Sequence, residues 1–372
     1  MKKVGIITFH SAYNYGSVLQ AFATQETVRI LGYSPEIINY RLKEQKKVYS
    51  NIRLNYGYKE LIKDMTLIPM YGKRNQKYAA FEDFFAKKLV LTKEVAEVEE
   101  TIELMQQYET VISGSDQIWN KHSLELEANS WNYMAPYLLA GFKGKKVSYA
   151  SSTANMSEEE LEKIKPYLQK FSYIAMREPT SAEVISDLMG RKVETVLDPT
   201  FLLDRNAWLK ALTLHNQQSG KIVYYSLGGL KRFNAIRPVL EQLANKEKSS
   251  IIVMTPFCYV AKNDVFEPHP EYGPIDFLQT LQSAKMVVTD SYHGTILSVN
   301  LGKDVYSICK KGGSEFRKTD VLKAVGMHDR IIYQPEKLIE DHFAPIDYEA
   351  VHACLRKLRE QSLSYLKHAL GE

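Results

Sequence analysis

The residue best suited to move a proton is His293, set in the run Val287-Val288-Thr289-Asp290-Ser291-Tyr292-His293-Gly294-Thr295. An imidazole changes charge near neutral pH, and Asp290, three residues earlier, is a carboxylate that could hold the ring or its proton. Met286 to Val288 reads as the end of a buried strand, and apolar positions resume at Ile296, Leu297 and Val299 as a helix. Where a strand turns into a helix in this way, the free N–H groups of the first helical turn favour an anion, which would lie against Ser291, Gly294 and Thr295. The plainer alternative is an Asp/Ser helix cap with His293 merely packed or exposed. Lys310, Lys311 and Arg317 follow the next strand and could meet the same anion, although charges on loops are commonly just solvated.

Similar turns recur along the first half of the chain. Asn14-Tyr15-Gly16-Ser17 follows the first strand and could hold an anion or a sugar; it contains no Gly-x-Gly-x-x-Gly dinucleotide pattern. Gly114-Ser115-Asp116-Gln117-Ile118-Trp119-Asn120 sets hydrogen-bonding side chains beside an indole, a combination suited to sugars, against the alternative of a capped turn with Trp119 in the core. Ser148 to Thr153, including Ser151, again gathers hydroxyls at a strand end, without the Gly-x-Ser-x-Gly elbow of a serine hydrolase. Arg177 directly follows a strand and offers forked donors to a phosphate or carboxylate, or else simply pairs with Glu178. Asp198, in Leu197-Asp198-Pro199-Thr200, reads as a cap. No His or Cys spacing suits a metal, and neither metal nor cofactor is expected. Turns of this kind at successive strand ends argue together for a large polar ligand cleft.

Such residues need a sheet to position them. Val4–Phe9, a helix from Val18 to Leu31 stopped by Gly32, and Glu36–Tyr40 form a β-α-β opening. Residues 41–91 mix Lys, Arg, Tyr and Phe at helical spacing and read as a helical insertion. Strand patterns return at Thr110–Ser113, Lys146–Ala150, Tyr173–Met176 and Val193–Leu197, and Ser157 with Glu160 forms a capping box ahead of a helix. After a polar connection, Asp204–Gly220, a second βαβ series runs through strands at Ile222–Leu227, Ile251–Thr255, Val287–Thr289 and Asp304–Ile308. Helices at Ala235–Leu243 and Pro274–Ser283 lie between them. The expected architecture is α/β: two Rossmann-like domains, 1–205 and 206–345, facing a cleft in a GT-B-like manner, with a C-terminal helix in 346–372 packing back on the first.

At 372 residues the chain suits two cores rather than one. Its 45% hydrophobic and 25% charged residues are ordinary for a globular protein. A net charge of +4 is too weak to argue for nucleic acid and suits anionic small substrates. Three cysteines, unclustered, fit a reducing cytoplasm, and no apolar run is long enough to span a membrane. The insertion carries Lys43, Lys46, Lys47, Arg53, Lys73, Arg74 and Lys77, which predicts contact with anionic lipid or a diphosphate linker.

Taken in order, Asn14-Tyr15-Gly16, Gly114-Ser115-Asp116-Gln117-Ile118-Trp119-Asn120, Ser148-Tyr149-Ala150-Ser151, Arg177-Glu178, Asp198-Pro199-Thr200 and Asp290-Ser291-Tyr292-His293-Gly294-Thr295 resemble the polysaccharide pyruvyl transferase family. The resemblance implies transfer of the enolpyruvyl carbons of phosphoenolpyruvate onto a sugar as a ketal, with release of phosphate. It implies Arg177 as donor-binding and His293 as catalytic, with a glycan or lipid-linked oligosaccharide precursor of capsule or exopolysaccharide as acceptor. The location it suggests is the cytoplasm, at the inner face of the membrane; self-association is left open. Characterised members resemble Asp-Arg-Leu-His-Gly where this chain has Ser291-Tyr292, so a phosphoenolpyruvate reading requires Lys310, Lys311 or Arg317 to replace that cation. A glycosyltransferase-like enzyme using a nucleotide-sugar and a non-catalytic glycan-binding protein of an assembly complex are the alternatives.

Overall fold

A computed structural model describes residues 1–43, 62, 65, 67–256, 258–310, 315–340 and 342–371. In chain order the strands and main helices are β1 (Lys3–Ile7), α1 (Tyr15–Ile30), β2 (Ser34–Ile37), α2 (Tyr71–Lys88), α3 (Val98–Met105), β3 (Thr110–Ser113), α4 (Ser130–Met134), β4 (Lys145–Ser148), α5 (Glu158–Leu168), β5 (Ala175–Met176), α6 (Pro179–Met189) and β6 (Glu194–Thr195). They continue as α7 (Arg205–Leu212), β7 (Ile222–Tyr225), α8 (Leu230–Glu247), β8 (Ile251–Met254), β9 (Phe266–Pro268), α9 (Pro274–Ser283), β10 (Met286–Thr289), α10 (Tyr292–Asn300), β11 (Asp304–Ile308), α11 (Phe316–Ala324), β12 (Ile331–Ile332), α12 (Lys337–Glu340) and α13 (Tyr348–Leu370). They fold as two compact units, Met1–Ser50 with Phe85–Leu203 and Arg356–Glu372, and Asn51–Phe84 with Asp204–Leu355.

In the first unit a parallel sheet runs in the order β2-β1-β3-β4. Its apolar inner positions are Val and Ile, including Ile6, Ile7, Val111, Ile112 and Val147, all buried. Strands covered on both faces read as continuous apolar runs, as the central β1 does from Val4 to Ile7. Isolated bridges from Asp116 to Ser151 and from Ser151 to Met176 carry the pairing beyond the carboxyl ends of β3 and β4, to the last residue of β5. In this unit the end of α13 is pinned by Arg359 donating to the Phe201 carbonyl, Leu197 N–H donating to Ser362, and Tyr365 donating to the Ser148 carbonyl.

In the second unit a six-stranded sheet has the order β12-β11-β10-β7-β8-β9, all parallel. Its edge strand β9 ends on Pro268, tolerable there because an edge strand has N–H groups the ladder does not need. Chain order reverses at β1/β3 in one sheet and at β7/β10 in the other. Ligands of open α/β sheets bind at such switch points, outside the carboxyl ends of the strands.

Local signals account for much of this. Ser157 and Glu160 make both bonds of the predicted capping box at α5. Other expectations are corrected. The polar connection after Asp204 contains α7, capped by Asp204 and anchored by buried Trp208 and Leu212, too few apolar positions to show a period. The insertion is not helical to its end: past Lys88, Leu91 and Val95 bridge Ile37 and Tyr40 as extended chain. Nor do its described cations all face outward. Arg74 is buried and donates to the Tyr78 hydroxyl, and Lys73 pairs with Glu271 at 3.3 Å. Lys77 is only 5% exposed and lies over the Phe81 ring. Lys43 is exposed beside Glu97, while Lys46, Lys47 and Arg53 lie outside the described residues.

Two predictions follow from the packing. Gly114 has φ +139°, and a Cβ there would sit 1.9 Å from the Tyr149 carbonyl oxygen. Gly114→Ala is expected to destabilise the protein by at least about 1–3 kcal/mol, as denaturant titration would measure. Burial lowers the Lys77 ammonium from 10.5 to about 7. Between those values the unfolded chain holds a proton the folded chain has lost, so this residue's contribution to stability improves as pH rises from about 7 toward 10.5. Lys77→Met keeps the aliphatic stem, and should raise the urea midpoint at pH 7 and flatten its rise with pH.

Candidate functional site

In the second unit the site forms where β10 and β7 end. Ser291 caps α10, its Oγ accepting from the Gly294 N–H at 3.3 Å. His293 is the second residue of that helix, buried, its ring edge-on to Tyr292 at 5.0 Å. The Asp290 carboxylate, expected to steady the histidine, is held instead by three groups from the β7 side. It accepts from Ser226 Oγ at 2.6 Å, from the Leu227 N–H at 3.0 Å, and from Arg232 Nε at 2.9 Å. Gly228 makes room for that arginine, because a Cβ there would lie 2.4 Å from Arg232 Cδ. The Arg232 side chain is 35% exposed, so a carboxylate orients it while solvent or ligand still reaches it.

Beneath the same turn, Lys318 Nζ donates to the carbonyls of Asp290 and Ile308, each at 2.8 Å, and pairs with Glu315 at 2.6 Å. Thr295 is fully buried and donates to the Ser291 carbonyl while meeting Ser307 Oγ at 2.9 Å. Its hydroxyl therefore shapes the helix start rather than offering itself to a ligand. Lys310 is exposed and Arg317 half-buried near the start of α11; Lys311 lies outside the described residues. A helix N-terminus beside an oriented guanidinium is a site for an anion.

The first unit has a different electrostatic character. Arg177, only 2% exposed, sits among three carboxylates: Glu178 Oε1 at 2.9 Å, Asp198 Oδ2 at 3.2 Å and Asp116 Oδ1 at 3.7 Å. Asp198 also accepts from the N–H and hydroxyl of Thr200. With three negative groups around one positive, a phosphate would meet repulsion here. Of the two readings of Arg177, donor binding or a structural pairing with Glu178, these distances favour the pairing.

The same network locks the strand-end turns together. Ser17 Oγ donates to Asp116 Oδ2 at 2.8 Å, and Gln20 donates to Thr8 while accepting from the Ser115 N–H. Ser115 Oγ donates to the Ala150 carbonyl, and Ser151 Oγ to that of Ser113. Asn14 caps α1 by accepting from the Gly16 N–H, with Tyr15 and Gly16 buried in its first turn. Gln117 is half-buried and accepts from Asn120, which is buried. Trp119 is wholly in the core, its indole N–H donated to the Tyr137 carbonyl, so the core alternative holds and no sugar stacks on it. Of the predicted sugar-binding group, Asn14 and Gln117 are half-buried and the others buried.

Sequence reading missed Arg232, Ser226 and Lys318. Gly228-Gly229 after an apolar strand and ahead of a helix was the available signal, the same strand–turn–helix pattern that marked the other strand ends.

A family model described as polysaccharide pyruvyl transferase matches residues 14–308. Solved structures similar to the chain include the UDP-GlcNAc 2-epimerase of Methanocaldococcus jannaschii, at 11% identity and TM-score 0.51, covering 91% of each chain. The UDP-GlcNAc 2-epimerase of Neisseria meningitidis, solved bound to UDP-GlcNAc, has 10% identity and TM-score 0.50, covering 99% of this chain and 94% of that one. At such identity the likeness concerns the fold, which is GT-B-like α/β. No curated protein matches the chain significantly.

Because removing Arg177 would leave three carboxylates uncompensated in the interior, Arg177→Met should cost about 3–5 kcal/mol of stability. Thermal unfolding should show a large drop, while the affinity of the folded fraction for an anionic donor changes little. Intact stability with lost donor affinity would return Arg177 to the ligand.

Proposed function

Since the chain belongs to the polysaccharide pyruvyl transferase family, we propose that it transfers a pyruvyl group from phosphoenolpyruvate to two hydroxyls of a sugar, releasing phosphate. The observation that carries the donor assignment is Arg232, whose Nε meets the carboxylate of Asp290, the residue before the Ser291 cap of α10. The Ser291-Tyr292 pair removes a cation from this turn, and Arg232 supplies one from the β7 side. Lys318, already donating to two carbonyls, serves to hold the turn.

The donor's phosphate and carboxylate would lie against the free N–H groups of α10 and the Arg232 guanidinium. His293 gives a proton to the methylene carbon, leaving positive character on the adjacent carbon. A sugar hydroxyl attacks there, the phosphate departs with the electrons of its C–O bond, and a second hydroxyl closes the ketal. Of the two hydroxyl protons released, one replaces that of His293 and the other leaves with phosphate. Asp290 acts through Arg232 and not as the proton carrier. The polar strand ends of the first unit, with Asn14, Gln117 and the partly accessible Asp116, are the proposed acceptor surface. The acceptor we infer is a glycan precursor of a cell-surface polysaccharide on a lipid carrier, met at the cytoplasmic face of the membrane. Among the described residues no helix is long and apolar enough to cross a membrane.

Phosphate release from phosphoenolpyruvate in the presence of lipid-linked glycan tests the reading. His293→Gln should lower turnover by about 10²- to 10⁴-fold with donor affinity nearly unchanged. Arg232→Gln should raise the donor KM by roughly ten- to a hundredfold, the loss expected for a charge-assisted contact. Adding Ser291→Arg to that variant should recover part of the affinity. A protein that binds nucleotide-sugar and is indifferent to phosphoenolpyruvate would overturn the proposal.

A further inference from the structure

The second unit contains a pocket apart from the β7/β10 switch point. It opens where β8 and β9 end, and Val253 and Pro268, register partners across those strands, line it with Pro69, Met70, Val260 and Pro270. The Tyr259 ring, 46% exposed, stands at the same pocket. Two lysines line it from separate segments: Lys73 of α2, its ammonium paired with Glu271 at 3.3 Å, and Lys262 on the exposed loop after β8. Burial pushes the Cys258 thiol up to about 11, so at neutral pH this wall adds no negative charge to oppose an anion.

The composition selects a ligand with two unlike ends. Proline, valine and methionine surfaces gain from covering a carbon body, and a tyrosine face accepts a flat ring or a branched chain equally well. The lysines call for a strong anion, and two ammoniums suit a phosphate with several oxygens. The cavity is about 200 Å³, at the small end for a ligand pocket, which suits one ring or a short branched chain. The ligand's remainder must lie outside it.

We infer that this pocket binds the body of a diphosphate ester, with the diphosphate bridged by Lys73 and Lys262. The body is a nucleoside or an isoprenyl group, and the site is independent of the pyruvyl donor.

Calorimetric titration of the full chain with uridine diphosphate, geranyl diphosphate and inorganic diphosphate tests this. One of the two esters should bind at least about tenfold tighter than inorganic diphosphate, and which one identifies the body. Lys262→Ala is at an exposed position and cannot threaten the fold; with Lys73→Ala it should weaken that ester by about tenfold or more, as for lost charge-assisted contacts. Val260→Phe, which fills the cavity, should weaken the ester and leave inorganic diphosphate unchanged. Equal affinity for all three ligands, insensitivity to these variants, or displacement of the ester by phosphoenolpyruvate would each overturn the inference.

Discussion

A carboxylate buried at the end of a parallel strand must be matched by a cation or by several donors, because leaving it bare costs more than a fold of this size can spare. Both units are organised around that requirement. In the first, Arg177 answers Asp116, Glu178 and Asp198; in the second, Arg232, Ser226 and a backbone N–H answer Asp290. These pairings fix where the strand-end turns go, and the turns fix everything a ligand can touch.

The two solutions differ in what they leave over. Arg177 is enclosed and outnumbered, so its charge is used up in holding the β3, β5 and β6 ends together. Its surroundings suit hydroxyl groups, which donate to carboxylates, far better than phosphate. Arg232 has one strong carboxylate partner and substantial exposure, so its remaining donors can serve an incoming anion. The donor and acceptor surfaces proposed above have those opposite characters, and the opposition arises from how many carboxylates surround each guanidinium.

Backbone geometry enforces the same arrangement. Gly114 lets the β3 turn pass against the Tyr149 carbonyl, and Gly228 clears the space that Arg232 crosses to reach Asp290. Lys318 ties the Asp290 turn to β11 from below. The proposed donor site is thus assembled from the ends of three neighbouring strands, β7, β10 and β11, and no single loop could form it alone.

What the sequence by itself determined is local. The apolar runs of β1, β3, β7 and β10, the polar turns after them, the caps at Ser157 and Ser291, and the ordered pattern of the family are all readable within a few neighbouring residues. Backbone geometry and capping act over three or four positions, so their traces survive in the linear text. Strand order was decided only in three dimensions, and with it the partners of each charge. Asp290 lies three residues from His293 but bonds to Ser226, 64 positions away, because β7 is the neighbour of β10. Ser17 reaches Asp116 across 99 positions for the same reason, β1 lying beside β3. Trp119 could have faced a sugar or the core, and the packing of Phe171 and the Tyr137 carbonyl around it settled the matter. Spacing along the chain limits what a residue can reach locally, whereas sheet order brings distant side chains together, and charge pairing follows the second.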